Sequence, residues 1–256
     1  MSDLLDLGLL RDDHARASLA SICVKAENTI AGAATGGLDQ SAALRCQVGH
    51  ALLLDCRDGS IAQVPFDLST HGLCLLVMDT RAEHTLADGQ YKQRRASCEQ
   101  AARQLRLPSL REVAVDDLDQ TLGRMSDNRM RARVKHVVTE IERVRQLVVL
   151  LRAGRMPEVG SLFNASHAFL RDDFEVSCVE LDIAVETATT HGALGARMTG
   201  GWFGGSAIAL VATNSIADVV SAVTRAFANN GLHAPKLLPG HRIRSRATRD
   251  PPPGHI

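Results

Sequence analysis

The chain has 256 residues, of which 45% are hydrophobic, and its 29 basic and 29 acidic side chains give a formal charge of zero. That is enough apolar material for one large or two small folded domains. The balanced charge, with only one Trp and one Tyr, argues against a nucleic-acid-binding or membrane-surface role.

The opening MSDLLDLGLLRDD is acidic and lacks the basic-then-apolar layout of a signal peptide. No stretch approaches the roughly 20 apolar residues of a bilayer span, so a cytosolic location is expected. Apolar spacing predicts a helix over 14–29, a glycine- and alanine-rich loop over 31–37, and a short helix over 39–46. Two strands, 50–56 and 61–66, flank Arg57-Asp58-Gly59-Ser60, where Asp-Gly favours a hairpin turn. GLCLLVMD at 72–79 reads as a buried strand.

Helices follow over 90–105, 128–152, 158–171 and 178–191, with Gly154 placed to end one and Pro157 to start the next. Then come a strand, Met198-Thr199-Gly200-Gly201-Trp202-Phe203-Gly204-Gly205, a second strand over 206–212, a helix over 216–229 and a last strand near 234–238. Four glycines in eight residues bring backbone close to a ligand or a neighbouring chain segment; a tight strand-turn-strand connection explains them equally well. Strands with helices alongside make α+β the expected class. The segment 242–256, with four arginines and three consecutive prolines, reads as a disordered tail. Cys23, Cys46, Cys56, Cys74, Cys98 and Cys178 form no zinc-like cluster and are expected as buried, reduced thiols.

Several segments together resemble one family, the galactokinases of the GHMP small-molecule kinase superfamily. They are Ala26-Glu27-Asn28, Thr35-Gly36-Gly37-Leu38-Asp39-Gln40, HALLLDCR at 50–57, Tyr91-Lys92-Gln93-Arg94-Arg95, Arg133-Val134-Lys135-His136-Val137 with Thr139-Glu140, Ser166-His167 leading into LRDDFEVS at 170–177, and MTGGWFGG. Order, spacing and identity agree over about residues 4–238.

The resemblance implies phosphoryl transfer from ATP to the anomeric hydroxyl of galactose, with Mg2+ as cofactor. Asp39 matches the family's catalytic aspartate; a helix N-cap is the plain structural alternative for an Asp before a helical run. Gly36 matches the glycine whose backbone approaches the sugar, and Tyr91 the tyrosine whose hydroxyl reaches a sugar oxygen. Glu27 matches the acid that coordinates magnesium, a hard oxygen ligand beside phosphate. Arg171, Asp172 and Asp173 read as a helix-end ion-pair network, and His136 and His167 as packing or capping residues.

The family's sugar-binding segment, resembling G-R-x-N-L-I-G-E-H-x-D-Y, and its phosphate loop, resembling P-x-G-x-G-L-S-S-S-A, do not occur in these residues. The expectation is therefore a two-lobe GHMP architecture with a truncated first lobe over 1–70, a ferredoxin-like second lobe over 71–240 and the tail over 241–256. Galactose and ATP are the expected partners, with activity impaired in this chain alone and with self-association or a missing N-terminal segment to cover exposed surface. Trp202 departs from the small residue usual at its place. A non-catalytic galactose-sensing protein on the same scaffold is the alternative function.

Overall fold

The computed structural model describes residues 12–31, 36–82, 90–200 and 204–240. Trp202, the start of the galactokinase-like region before residue 12, and the arginine- and proline-rich segment after residue 240 lie outside the described residues. The chain divides into two compact units that part between Asp67 and Leu68.

In the first unit, helix α1 (Asp13–Ala26) starts where the Asp12 carboxylate accepts the Ala15 N–H at 2.7 Å, satisfying one of the orphan donors of the first turn. The predicted helix to residue 29 ends earlier as an α-helix. Its last turn widens into a π-helical turn, Glu27–Ala31, a local feature that spacing rules based on 3.6 residues per turn do not reveal. Helix α2 (Leu38–Arg45) follows, then antiparallel strands β1 (His50–Leu54) and β2 (Ile61–Pro65), with Leu52 opposite Gln63.

Side chains tie these pieces together. Arg45, ending α2, donates two hydrogen bonds to Asp13 of α1, at 3.0 and 2.9 Å, and one to the Gly59 carbonyl in the hairpin loop at 3.3 Å. The same arginine holds the Asp13 carboxyl below the usual carboxylate range. The Gln63 amide on β2 donates to the Arg45 carbonyl at 2.8 Å and accepts from the Gln47 N–H at 3.1 Å. The apolar core here is thin: Ala20 and Val64 are the fully buried apolar side chains among the described residues, whereas Ile22, Ile30, Leu38 and Val48 are exposed.

The second unit is built on a four-stranded antiparallel sheet, β3 (Leu73–Asp79), β4 (Ala193–Thr199), β5 (Ser206–Ala212) and β6 (Lys236–Pro239), in the spatial order β4-β5-β3-β6. Helices α3 (Gln90–Leu105), α4 (Leu118–Gly123), α5 (Asn128–Arg152), α6 (Val159–Asp172) and α7 (Val179–Thr190) lie between β3 and β4 in sequence, and α8 (Ile216–Asn229) between β5 and β6. Two β-α-β pieces, β3 to β4 and β5 to β6, thus interleave, with β3 and β5 side by side in the middle and β4 and β6 at the edges, the split-βαβ plan of a ferredoxin-like fold. The α+β class and the ferredoxin-like second lobe expected from sequence are what the chain forms.

Alternation along the strands turns Leu76, Met78, Ala207, Ala209 and Met198 inward against Leu181 and Val185 of α7 and Val223 and Phe227 of α8. Each large apolar side chain buried this way contributes roughly 1.5–3 kcal/mol. A second cluster joins Ala101, Ala102 and Leu105 of α3 to Met130, Val134 and Val138 of α5. Gly154, at φ +67°, ends α5, with the Arg155 N–H returning to the Leu150 carbonyl at 2.9 Å, the helix-ending geometry its sequence position predicts. Pro157 sits in a 3-10 turn, Met156–Glu158, that leads into α6. Helix α4 and the turns before it, Leu110–Glu112 and Val115–Asp117, have no counterpart in the sequence reading because they are too short to establish a period.

All six cysteines are free, but the expectation of buried thiols does not hold: Cys23, Cys46 and Cys56 are exposed and the other three half-buried. The exposed three belong to the first unit, whose small core has no room for them. Among the described residues no helix is long and apolar enough to cross a membrane.

Candidate functional site

Two neighbouring glycines set up the first unit's site for opposite reasons. Gly37, at φ +79°, occupies the N-cap position of α2, and a Cβ there would stand 2.8 Å from Cγ2 of Val24. Both the left-handed backbone and the close approach of α1 require glycine at this point. A Cβ on Gly36 would meet nothing within 4 Å. The packing of the described chain therefore gives no reason for glycine at 36.

With Gly37 as N-cap, Asp39 falls inside the first turn of α2 and does not cap it. The capping alternative raised by the sequence is thereby removed. Asp39 is exposed, and its carboxylate forms no hydrogen bond or ion pair with a described residue.

One residue on, Gln40 turns inward. Its amide Nε2 donates to Oε2 of Glu27 in the π-helical turn, across 13 residues of sequence. Glu27 and the Asp39 helix are thus joined directly. The amide oxygen of Gln40 is buried and has no hydrogen-bond partner among the described residues. A flipped amide would set that oxygen against the Glu27 carboxylate, so the donor assignment follows from charge.

Among the described residues no group of three or more His, Cys, Asp or Glu side chains could hold a metal. Magnesium does not need one, since it binds through one or two carboxylates, water and substrate phosphate. A half-buried Glu27 carboxylate held by an amide, beside an orphaned amide oxygen, fits such a cation.

Tyr91 belongs to the second unit, where it is the second residue of α3. One turn later, Arg94 donates to the carbonyls of Phe174 and Glu175 at 2.8 and 2.9 Å. Arg133 of α5, almost fully buried, donates to the Asp173 carbonyl and to the Glu175 carboxylate. Glu175 has φ +54°, a left-handed backbone rare for glutamate, and the two arginines hold the 173–176 turn in it. The Arg133 guanidinium also keeps the Glu175 carboxyl below its usual range. Arg171 pairs with Asp172 at 2.7 Å, and Asp173 with Lys135 at 3.0 Å, so the helix-end charges are ion pairs.

The glycine-rich connection between β4 and β5 is fixed at both ends. At its far end the Gly205 carbonyl accepts from the Thr80 N–H at 3.0 Å and from the Thr80 hydroxyl at 2.6 Å. At its near end the Met198 N–H donates to Nδ1 of His167 at 3.2 Å, while Nε2 of His167 faces Asp182 at 3.1 Å. An acceptor role for Nδ1 puts the hydrogen on Nε2, so these two partners select one tautomer. Asn164, three residues earlier on α6, accepts the Ala196 N–H at 2.9 Å. Since β4 is an edge strand, α6 supplies side-chain acceptors where a further strand would otherwise pair.

His136 is buried and stacks on Phe174, ring centroids 4.4 Å apart. Burial, then the charges of Arg143, Arg197 and Arg133, push its pKa down to about 3, so it is neutral at ordinary pH. His136 thus packs on an aromatic ring and His167 accepts a strand N–H, the packing and capping roles read from sequence.

A model of the GHMP kinase C-terminal domain matches residues 147–229, from the end of α5 through α8. The galactokinase of Streptomyces coelicolor is 49% identical over 239 residues, covering 93% of this chain and 60% of that protein. The galactokinase of Mycobacterium tuberculosis is 42% identical over 222 residues, covering 87% of this chain and 61% of that one.

Over the part of those proteins that it covers, the chain is similar to galactokinases.

The same likeness holds in three dimensions. The crystal structure of Lactococcus lactis galactokinase complexed with galactose matches with a TM-score of 0.82 at 33% identity, covering 88% of this chain and 58% of that one. The chain spans about 60% of the length of the curated galactokinases it matches. Gln40 is the residue that sequence reasoning passed over: it ends the segment Thr35-Gly36-Gly37-Leu38-Asp39-Gln40, but only the fold reveals its reach to Glu27.

Proposed function

We propose that this chain is part of a galactokinase-type sugar kinase that transfers the γ-phosphoryl group of ATP to the anomeric hydroxyl of galactose, in the cytoplasm. The observation that carries the reading is the state of Asp39. Its carboxylate is exposed at the start of α2, released from capping by Gly37, and one residue from the amide that engages Glu27. The identity to galactokinases supports the choice of substrate class.

In this reading the sugar oxygen forms a bond to the γ-phosphorus, the bond from that phosphorus to the β,γ-bridging oxygen breaks, and ADP leaves. Asp39 takes the hydroxyl proton, or orients the hydroxyl and stabilises its developing charge, work worth roughly 10²–10⁴ in rate. Gly36 gives the sugar close access to backbone, and Tyr91 supplies a hydroxyl to a sugar oxygen. Glu27 would hold Mg2+, which when bound neutralises charge on the phosphate oxygens. Residues 1–70 and 71–240 are assigned to the two lobes.

The test measures galactose 1-phosphate formation with Mg·ATP by the 256-residue chain and by a chimera preceded by the unmatched part of the Streptomyces coelicolor enzyme. Negligible turnover is expected from the chain alone, because the phosphate-cradling motif is not among its residues, and robust turnover from the chimera. Asp39→Ala in the chimera should lower it at least a hundredfold. A folded chimera indifferent to Asp39→Ala would overturn the assignment. Galactose-dependent thermal stabilisation with no turnover in either protein would favour a sensing role instead.

A further inference from the structure

We infer that Gln40 is the positioning residue of the cation site, holding the Glu27 carboxylate through its amide N–H. The inference deepens the metal reading of Glu27 and rests on it. Gln40 lies at the third position of α2, a helix whose start is fixed by the Gly37–Val24 approach. Glu27 lies in the π-helical turn at the end of α1. The single hydrogen bond between them therefore relates the metal-ligand candidate to the helix that carries Asp39.

The cost of the contact is visible. Holding its nitrogen on Glu27 leaves the Gln40 carbonyl oxygen buried without a donor among the described residues, a situation that folded proteins avoid unless something compensates. A side chain turned to solvent would satisfy both ends of the amide. Gln40 keeps the inward pose, and its orphaned oxygen is an acceptor for a water carried by a hydrated cation, since magnesium retains several of its waters on binding. Outer groups of this kind orient a ligating carboxylate, and their loss typically weakens metal affinity about 10–100-fold.

Mn2+ alone is the probe, titrated against the 256-residue chain and followed by electron paramagnetic resonance, with circular dichroism melts run alongside. Gln40→Met, of equal length and unable to donate, should weaken Mn2+ binding at least tenfold while the melt shows a folded chain. Glu27→Gln should abolish binding at this site, and Gln40→Met should add nothing in that background. Gln40→Asn, which keeps the amide but withdraws it by a methylene, should also weaken binding and covers the case in which Gln40→Met fails to fold. Loss with Glu27→Gln but wild-type affinity in both Gln40 variants overturns the positioning role and leaves the metal reading standing. Wild-type affinity in Glu27→Gln, or no Mn2+ binding by the unaltered chain, overturns both.

Discussion

Gly160 of α6 and Gly195 of β4 meet backbone to backbone: a Cβ on Gly160 would overlap the Leu194 carbonyl, and one on Gly195 the carbonyl of Gly160. Neither obstacle is a side chain that can swing away. Gly160→Ala or Gly195→Ala should therefore push α6 off the sheet edge and cost about 2 kcal/mol or more, in the range of overpacked cores. Urea denaturation of the two variants checks this. Unchanged midpoints would mean that the helix and strand can separate freely.

The edge cover predicts local effects beyond the glycines. Asn164→Ala leaves the Ala196 N–H without its acceptor, and His167→Leu does the same to Met198. A buried donor stripped of its partner costs about 1–3 kcal/mol. Hydrogen exchange should accelerate at Ala196 in the first variant and at Met198 in the second, with the β3–β5 ladder still protected. Uniform acceleration across the sheet would count against a local cover.

His136 makes stability depend on pH in a defined window. Its pKa is about 3 in the folded chain and near 6.5 in an unfolded one. Below 6.5 the unfolded state takes up a proton that the folded state refuses, so stability falls as pH falls, by about 1.4 kcal/mol per unit until the folded value is reached. Above 6.5 the site contributes no slope. Carboxylates held low by arginine, such as Glu175, are lost at more acidic pH because even their unfolded values lie near 4.5. His136→Phe should flatten the stability profile between pH 6.5 and 5, measured by chemical denaturation at each pH.

Exposed Ile22, Ile30, Leu38 and Val48 around a core as thin as Ala20 and Val64 give the first unit uncovered apolar surface. Such surface drives association. The 256-residue chain should self-associate at micromolar concentration in sedimentation velocity, and Ile22→Asp with Val48→Asp should reduce it. A monodisperse monomer without those changes would contradict the expectation.

Legibility followed the length scale of the signal. Helices α3, α5 and α8 were read at their observed limits, 90–105, 128–152 and 216–229, because each carries several turns of apolar spacing. Strand β3 was legible as an apolar run. The π-helical turn at Glu27 and the short α4 were not, since neither lasts long enough to set a period. In the candidate site, the type and order of Glu27, Gly36 and Asp39 were legible through the family pattern. What sequence could not separate was the reason for each glycine of the Gly36-Gly37 pair, or the use of His167 as an acceptor for a strand edge, because both depend on neighbours brought in from distant sequence.

The position of β3 at the centre of its sheet also constrains how the chain is made. Asp79 pairs with Ser206, and Leu76 with Pro239, so both neighbours of this apolar strand are synthesised more than a hundred residues after it. At roughly 5–20 residues per second, β3 stands outside the ribosome on the order of ten seconds before either partner exists. In that interval its backbone donors and the faces of Leu76 and Met78 are open to any passing chain. Leu76 and Met78, which end with no exposed surface, are thus among the side chains left open longest during synthesis.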